Sequence, residues 1–173
     1  SGWVGYTLSW SNRQFDNLNF GRTFPYKYDR RHDVSLALVH ELKKKMGKKE
    51  WQTDFGLTWV FGTGNAFSLP ISTYRAYDAT AYNQQEKGAY DVIDNFVDRN
   101  NFREPSYHRL DFSATFTSSK GKFEKSWNIS IYNLYNRKNP YYLFFDENDD
   151  GRRVLKQLSL FPIIPSVSYS FKF

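Results

Sequence analysis

Asp146, Asn148 and Asp150 stand at alternate positions and are followed by Gly151. This is the opening pattern of a loop whose oxygens converge on a calcium ion while glycine permits the turn. The complete loop needs a bidentate glutamate at its twelfth position, where Gln157 stands, and a hairpin rather than two helices surrounds it. Calcium is therefore the weaker reading of an acidic turn, and no other cofactor is indicated. Catalytic chemistry has less to work with. The chain has three histidines, His32, His40 and His108, and only Ser106 with His108 places a hydroxyl near an imidazole in sequence. Two residues apart on one strand, without an orienting third group, they make no triad, and no enzymatic activity is expected.

Two further clusters suit binding. Tyr28-Asp29-Arg30-Arg31-His32-Asp33 sets cationic donors beside carboxylates. Arg30 or Arg31 facing an anionic substrate is one reading; a paired charge network anchoring a long loop at a strand top is the other, and the mixed signs favour it. The stretch from Gly62 to Ser106 is long enough to imply a role of its own. It holds Tyr74, Tyr77, Tyr82 and Tyr90 with Arg99, Asn100 and Arg103. Flat aromatics beside amide and guanidinium donors suit a sugar, peptide or chelate at an entrance. Packing of the loop on itself accounts for the tyrosines equally well.

The elements that carry these residues follow from an apparent contradiction in composition. Aromatic residues make up 20% of the 173 residues and charged residues 24%, yet the mean hydropathy is −0.70. Alternation reconciles the figures, because averaging along a strand cancels its two faces. Val4, Tyr6, Leu8 and Trp10 alternate with Gly5, Thr7, Ser9 and Ser11 in a first strand over Trp3 to Ser11. Val34, Leu36, Leu38, His40 and Leu42 lie on one face of a second, and Phe55, Leu57, Trp59 and Phe61 on one face of a third. Leu110, Phe112, Ala114 and Phe116 mark a fourth; Trp127, Ile129, Ile131, Asn133 and Tyr135 a fifth; Val167, Tyr169, Phe171 and Phe173 a sixth. His40 and Asn133 are the polar members of these faces, and none carries Lys, Arg, Asp or Glu.

Spanning a bilayer takes about 9 to 11 tilted residues per strand, longer than the usual strand of a soluble sandwich. Connections alternate between long excursions, Asn12 to His32 and Gly62 to Ser106, and tight turns, Lys43 to Glu50 and Ser118 to Ser126, as in outer-membrane barrels. The expectation is an all-β, antiparallel transmembrane barrel segment of about six strands. About eight strands is the smallest closed membrane barrel, so further strands are expected elsewhere. No apolar run approaches the roughly 18 residues of a membrane helix. The absence of cysteine excludes a disulfide framework or a metal-thiolate site. The net charge of +6 gathers in lysine-rich turns, Lys43 to Lys49 and Lys120 to Lys125, which reads as solvated turns rather than a nucleic-acid surface. The chain opens inside a strand pattern without a signal peptide, as a mature segment or fragment would.

Several segments resemble the C-terminal barrel strands of TonB-dependent outer-membrane receptors, particularly those of Bacteroidetes. They are Tyr6-Thr7-Leu8-Ser9, Phe24-Pro25-Tyr26-Lys27-Tyr28-Asp29-Arg30-Arg31-His32-Asp33, Trp59-Val60-Phe61-Gly62-Thr63-Gly64, Tyr107-His108-Arg109-Leu110-Asp111, and the run from Trp127 to Pro140. Phe161-Pro162-Ile163-Ile164-Pro165 and Tyr169-Ser170-Phe171-Lys172-Phe173 complete the series. The resemblance covers nearly the whole chain. It implies that residues 1–173 are the C-terminal part of a barrel of about 22 strands, plugged by a domain outside this sequence. It further implies active uptake of a bulky nutrient across a bacterial outer membrane, with this chain supplying wall and extracellular loops. Tyr169, Phe171 and Phe173 resemble the signal read by the barrel-assembly machinery. The implied partners are the rest of the barrel and its plug, lipid and lipopolysaccharide, a TonB-type coupling protein reached through the plug, and a surface lipoprotein. A barrel of the same ancestry serving as a scaffold for assembly or export is the alternative.

Overall fold

The computed structural model describes residues 1–47, 49–77 and 90–173, with backbone alone at 75–77 and 90–92. In chain order its strands are β1 (Gly2–Leu8), β2 (Asn12–Arg13), β3 (Phe24–Pro25), β4 (His32–Met46), β5 (Lys49–Gly62), β6 (Ala66–Phe67) and β7 (Ser72–Tyr77). They continue with β8 (Tyr90–Asn95), β9 (Phe102–Arg103), β10 (Tyr107–Lys120), β11 (Phe123–Tyr132), β12 (Tyr142–Glu147), β13 (Arg153–Leu158) and β14 (Ile164–Lys172). A single 3-10 turn, Asn19–Gly21, is the one helical element among the described residues. No helix among them is long and apolar enough to cross a membrane, which leaves crossing by strands open. The protein is all-β with antiparallel sheets.

Two compact units divide the chain. The first comprises Ser1–Ser9, Arg30–Gly64 and Glu104–Phe173. It holds an open antiparallel sheet in the order β1-β4-β5-β10-β11-β14 and a separate hairpin, β12–β13. Register follows from the period of two, since a slip of one residue would carry every apolar side chain of a strand to the wrong face. Leu38, Leu57, Phe112, Ile131 and Pro165 accordingly align straight across five strands, and His40, Phe55, Ala114, Ile129 and Val167 align in the next outer row. The row between them, on the opposite face, is Val39, Gly56, Ser113, Ser130 and Ser166. One face of the sheet is thus predominantly apolar, with His40 the polar member of these two rows. Large side chains stand exposed on it in every strand, among them Val4 (68%), Leu38, Trp51, Phe116, Trp127 and Val167 (63%).

Two tight turns join β4 to β5 and β10 to β11. Lys120 pairs with Phe123 around Gly121 and Lys122, and Gly121 takes φ 63°. Gly47, which follows Met46 at the other turn, takes φ 64°. A two-residue hairpin loop with glycine first and at positive φ matches the strand twist and is open to few other residues.

The second unit comprises Trp10–Asp29 and Asn65–Arg103. Its strands are short and nested: β6 pairs with β9 around the β7–β8 hairpin, while β2 pairs with β3. Phe24 and Ala66 are its buried apolar residues among those described.

Several sequence expectations about element boundaries are corrected. The first strand ends at Leu8 rather than Ser11, because Ser11 belongs to the second unit, where it accepts from Tyr26 N–H and donates to Asp29. The fifth ends at Tyr132, and Asn133 lies off the apolar face at φ 54°. Both tight turns are shorter than expected, since the lysines flanking them keep the strand alternation to the last pair. The long excursion from Gly62 to Ser106 carries nested ladders, β6 with β9 and β7 with β8.

Candidate functional site

The polar face of the six-stranded sheet holds a constructed cluster at the end where the long excursions depart. Tyr107, Arg109 and Asp111 alternate along β10, so all three project to that face. Arg109 donates from Nε to Asp111 Oδ2 at 2.9 Å and from Nη1 to Tyr107 Oη at 3.0 Å and Tyr132 Oη at 2.6 Å. Its guanidinium also lies 4.1 Å from the centroid of Tyr132. The other Asp111 oxygen accepts the Asn133 backbone N–H at 2.9 Å. One guanidinium nitrogen, Nη2, stays without a partner among the described residues, so the cluster holds a fixed cation with a donor available to an anionic or carbonyl group.

Behind this cluster, the segment leaving β11 is built on asparagines. Asn133 is 0% exposed. Its Oδ1 accepts from Arg137 N–H at 3.0 Å, and its Nδ2 donates to the carbonyls of Arg137 at 2.9 Å and Phe161 at 3.1 Å. Asn136, also at positive φ, accepts from Ile163 N–H at 3.0 Å. Asn139 pairs with both backbone groups of His108, and Arg137 donates to Ser106 O at 2.9 Å. These residues tie the exit of β11 to the start of β10 and the approach to β14. Period-two alternation puts Asn133 on the apolar face of the fifth strand and does not reveal this role. Asparagine repeated in Asn133-Leu134-Tyr135-Asn136-Arg137-Lys138-Asn139-Pro140 was the available signal, since asparagine tolerates the left-handed region and bonds locally.

The Tyr28–Asp33 cluster divides between the two units. In the second, Asp29 is 1% exposed, pairs with Arg103 and accepts from Ser11 N–H at 2.6 Å. Arg103 also donates to the Asp29 carbonyl. Tyr28 is exposed and meets Tyr26 edge to face. In the first, Arg30 stands 3.6 Å from Asp33, Arg31 donates its N–H to Thr63 Oγ1 at 2.8 Å, and Tyr6 Oη meets His32 Nδ1 at 2.9 Å.

The recognition candidates separate in the same way. Asn100, at positive φ, donates to Pro25 O at 2.8 Å and accepts from Ser68 Oγ at 3.4 Å; its N–H goes to Ser68 Oγ at 3.0 Å. Arg99 donates its N–H to Asn19 Oδ1 at 2.9 Å and lies over Phe24. Arg99 through its backbone, and Asn100 and Arg103 through their side chains, therefore hold the second unit together. Tyr74 is exposed on β7. Tyr77 and Tyr90 are partners in the backbone register of β7 and β8, and Tyr82 lies outside the described residues.

The acidic turn uses its own donors. Asn148 Oδ1 accepts from Arg152 N–H at 2.8 Å and Asp150 N–H at 3.2 Å, while Asp146 Oδ2 accepts from Lys156 at 2.7 Å. Lys156 and the Glu147 N–H hold the Asp146 carboxyl below the usual carboxylate range. No group of three acidic or histidine side chains able to hold a metal occurs among the described residues. The His108 ring lies against Tyr135 Oη at 2.6 Å and stacks on Phe61. Tyr169 and Phe171 lie on the apolar face of β14, and Phe173 follows, its ring 6.0 Å from that of Phe171. Comparison with protein-family models, curated proteins and solved structures gives no match.

Proposed function

We propose that this chain forms part of the wall of an outer-membrane β-barrel, six strands of about 22, in a receptor of the TonB-dependent type. The supporting observation is the sheet face that is apolar across six in-register strands while the opposite face carries Ser, Thr, Asn, Asp and Arg. Exposed in water, so continuous an apolar face exceeds what soluble monomers tolerate; against acyl chains it is the stable arrangement. Connection asymmetry agrees with this reading. Tight glycine turns join strands at one sheet end, and long excursions leave from the other, the pattern of periplasmic turns and extracellular loops. β1 and β14 end the strand order. In hydrocarbon each unpaired backbone group would cost several kcal/mol, so further strands close the barrel.

The polar face then lines the lumen, and Arg109 with its two tyrosines is fixed near the extracellular mouth. The resemblance supplies the transport half of the proposal: uptake of a bulky chelate, glycan or peptide, driven by a coupling protein acting on a plug domain. The apolar face meets lipid and lipopolysaccharide, and a surface lipoprotein is a further partner by the same resemblance. The test is nutrient accumulation in cells that carry or lack the intact protein. Accumulation should require both this protein and the energy-coupling protein. Uptake that persists without coupling would instead indicate a passive pore, and unchanged uptake with loss of a surface complex would indicate a scaffold.

A further inference from the structure

The tight-turn end of the sheet separates charge by face. Two outward rows continue the apolar face there: Lys44, Trp51, Ser118, Lys125 and Phe171, then Met46, Lys49, Lys120 and Phe123. They hold lysines and aromatics and no acid. The inward row between them, Lys45, Glu50, Ser119, Glu124 and Lys172, is of mixed sign. Inward lysines find partners, Lys45 with Glu50 at 2.7 Å and Lys43 with Glu41. None of Lys44, Lys49, Lys120 and Lys125 has an acidic partner among the described residues.

Lys49 and Lys120 are, moreover, directly opposite each other across β5 and β10. Like charges so placed destabilise a sheet unless an anion lies between them. Their stems and neighbours are shaped for an amphiphile. Lys49 Nζ lies 3.9 Å from the centroid of Trp51, and Lys125 Nζ lies 5.8 Å from that of Phe171. Outward-facing Leu42, Lys44, Met46, Trp51 and Thr53, with inward-facing Lys43, line a hollow of about 480 Å³ at this end of β4.

We propose that this outward girdle binds the headgroups of anionic phospholipid, with lysines on the phosphates and the aromatic rings at the acyl boundary. This rests on the membrane reading above. Lipid rather than a soluble anion is the occupant because the cations lie on the same face as, and continuous with, the apolar rows.

The test reconstitutes the intact protein in phosphatidylethanolamine vesicles containing spin-labelled phosphatidylglycerol or phosphatidylethanolamine and reads the motionally restricted lipid. Wild type should prefer phosphatidylglycerol by at least about fivefold, the factor that one lysine near a membrane surface contributes. Molar salt, which shortens the screening length to about 3 Å, should remove the preference. Replacing Lys44, Lys49, Lys120 and Lys125 with Gln should abolish it, and replacing them with Arg should keep it. Restricted lipid without a preference, or a preference that survives the Gln replacements, overturns this inference alone. Absence of restricted lipid of either kind overturns the membrane reading and this inference together.

Discussion

Asp29 and Arg103, 74 residues apart in sequence, form an ion pair in which the Asp29 side chain has no solvent exposure while that of Arg103 retains 36%. The two partners therefore differ in what their loss leaves behind. Arg103→Ala removes this cation from a buried carboxylate, whereas Asp29→Asn removes this anion from a guanidinium that water reaches. Arg103→Ala should cost about 1.5 to 3 kcal/mol locally, and Asp29→Asn clearly less. Amide exchange over Trp10–Asp29 and Asn65–Arg103 reads both, and an equal or reversed order would contradict the burial argument.

Asn133 combines a left-handed backbone with three side-chain hydrogen bonds. Asn133→Ala should lose about 2 to 4 kcal/mol, from unsatisfied buried groups and from an alanine in the left-handed region. Asn133→Gly removes the same bonds but not the backbone freedom, so it should be about 1 kcal/mol milder. Denaturant midpoints of the intact protein in micelles compare the two, and Gly no better than Ala would remove the backbone contribution.

Leu57 and Thr58 are neighbours on β5 that face opposite sides of the sheet. Leu57→Arg should impair insertion by about 2 to 4 kcal/mol, the cost of arginine on a lipid-facing strand near mid-bilayer. Thr58→Arg, beside Asp111 across β10, should insert almost as wild type. Folding yield into phospholipid vesicles distinguishes them, and equal yields would argue against a lipid-facing side.

The Asp146–Lys156 contact lies on the β12–β13 hairpin, outside the six-stranded sheet. Its carboxyl is depressed in the folded hairpin, mainly by the Lys156 hydrogen bond. A depressed carboxyl contributes stability that is present above its unfolded value, about 3.9, and is lost as pH falls through the folded value. Hairpin amide protection should thus hold at neutral pH and decline only below about pH 4. In Lys156→Gln that decline should become shallower, and an unchanged acid profile would discount the lysine.

Much of the sheet was legible because period-two alternation fixes both the faces and, once strands pair, the register. Leu36, Trp59 and Leu110 could be assigned to one face from sequence, and the structure places them in one row. Boundaries were less legible. Tyr135 continues the apolar alternation of β11, yet the strand stops before it because Asn133 turns the chain to meet Asp111 and Arg137. Hydropathy carries no record of a backbone that leaves the strand region.

The candidate site divides along the same line. Tyr107, Arg109 and Asp111 share a face by spacing alone, since strand side chains alternate. That Tyr132 completes their cluster, that Arg103 pairs with Asp29, and that acidic and unpaired basic residues part company at the tight turns were decided by tertiary structure. Each depends on which strands become neighbours and in what register, a long-range choice that local sequence does not encode.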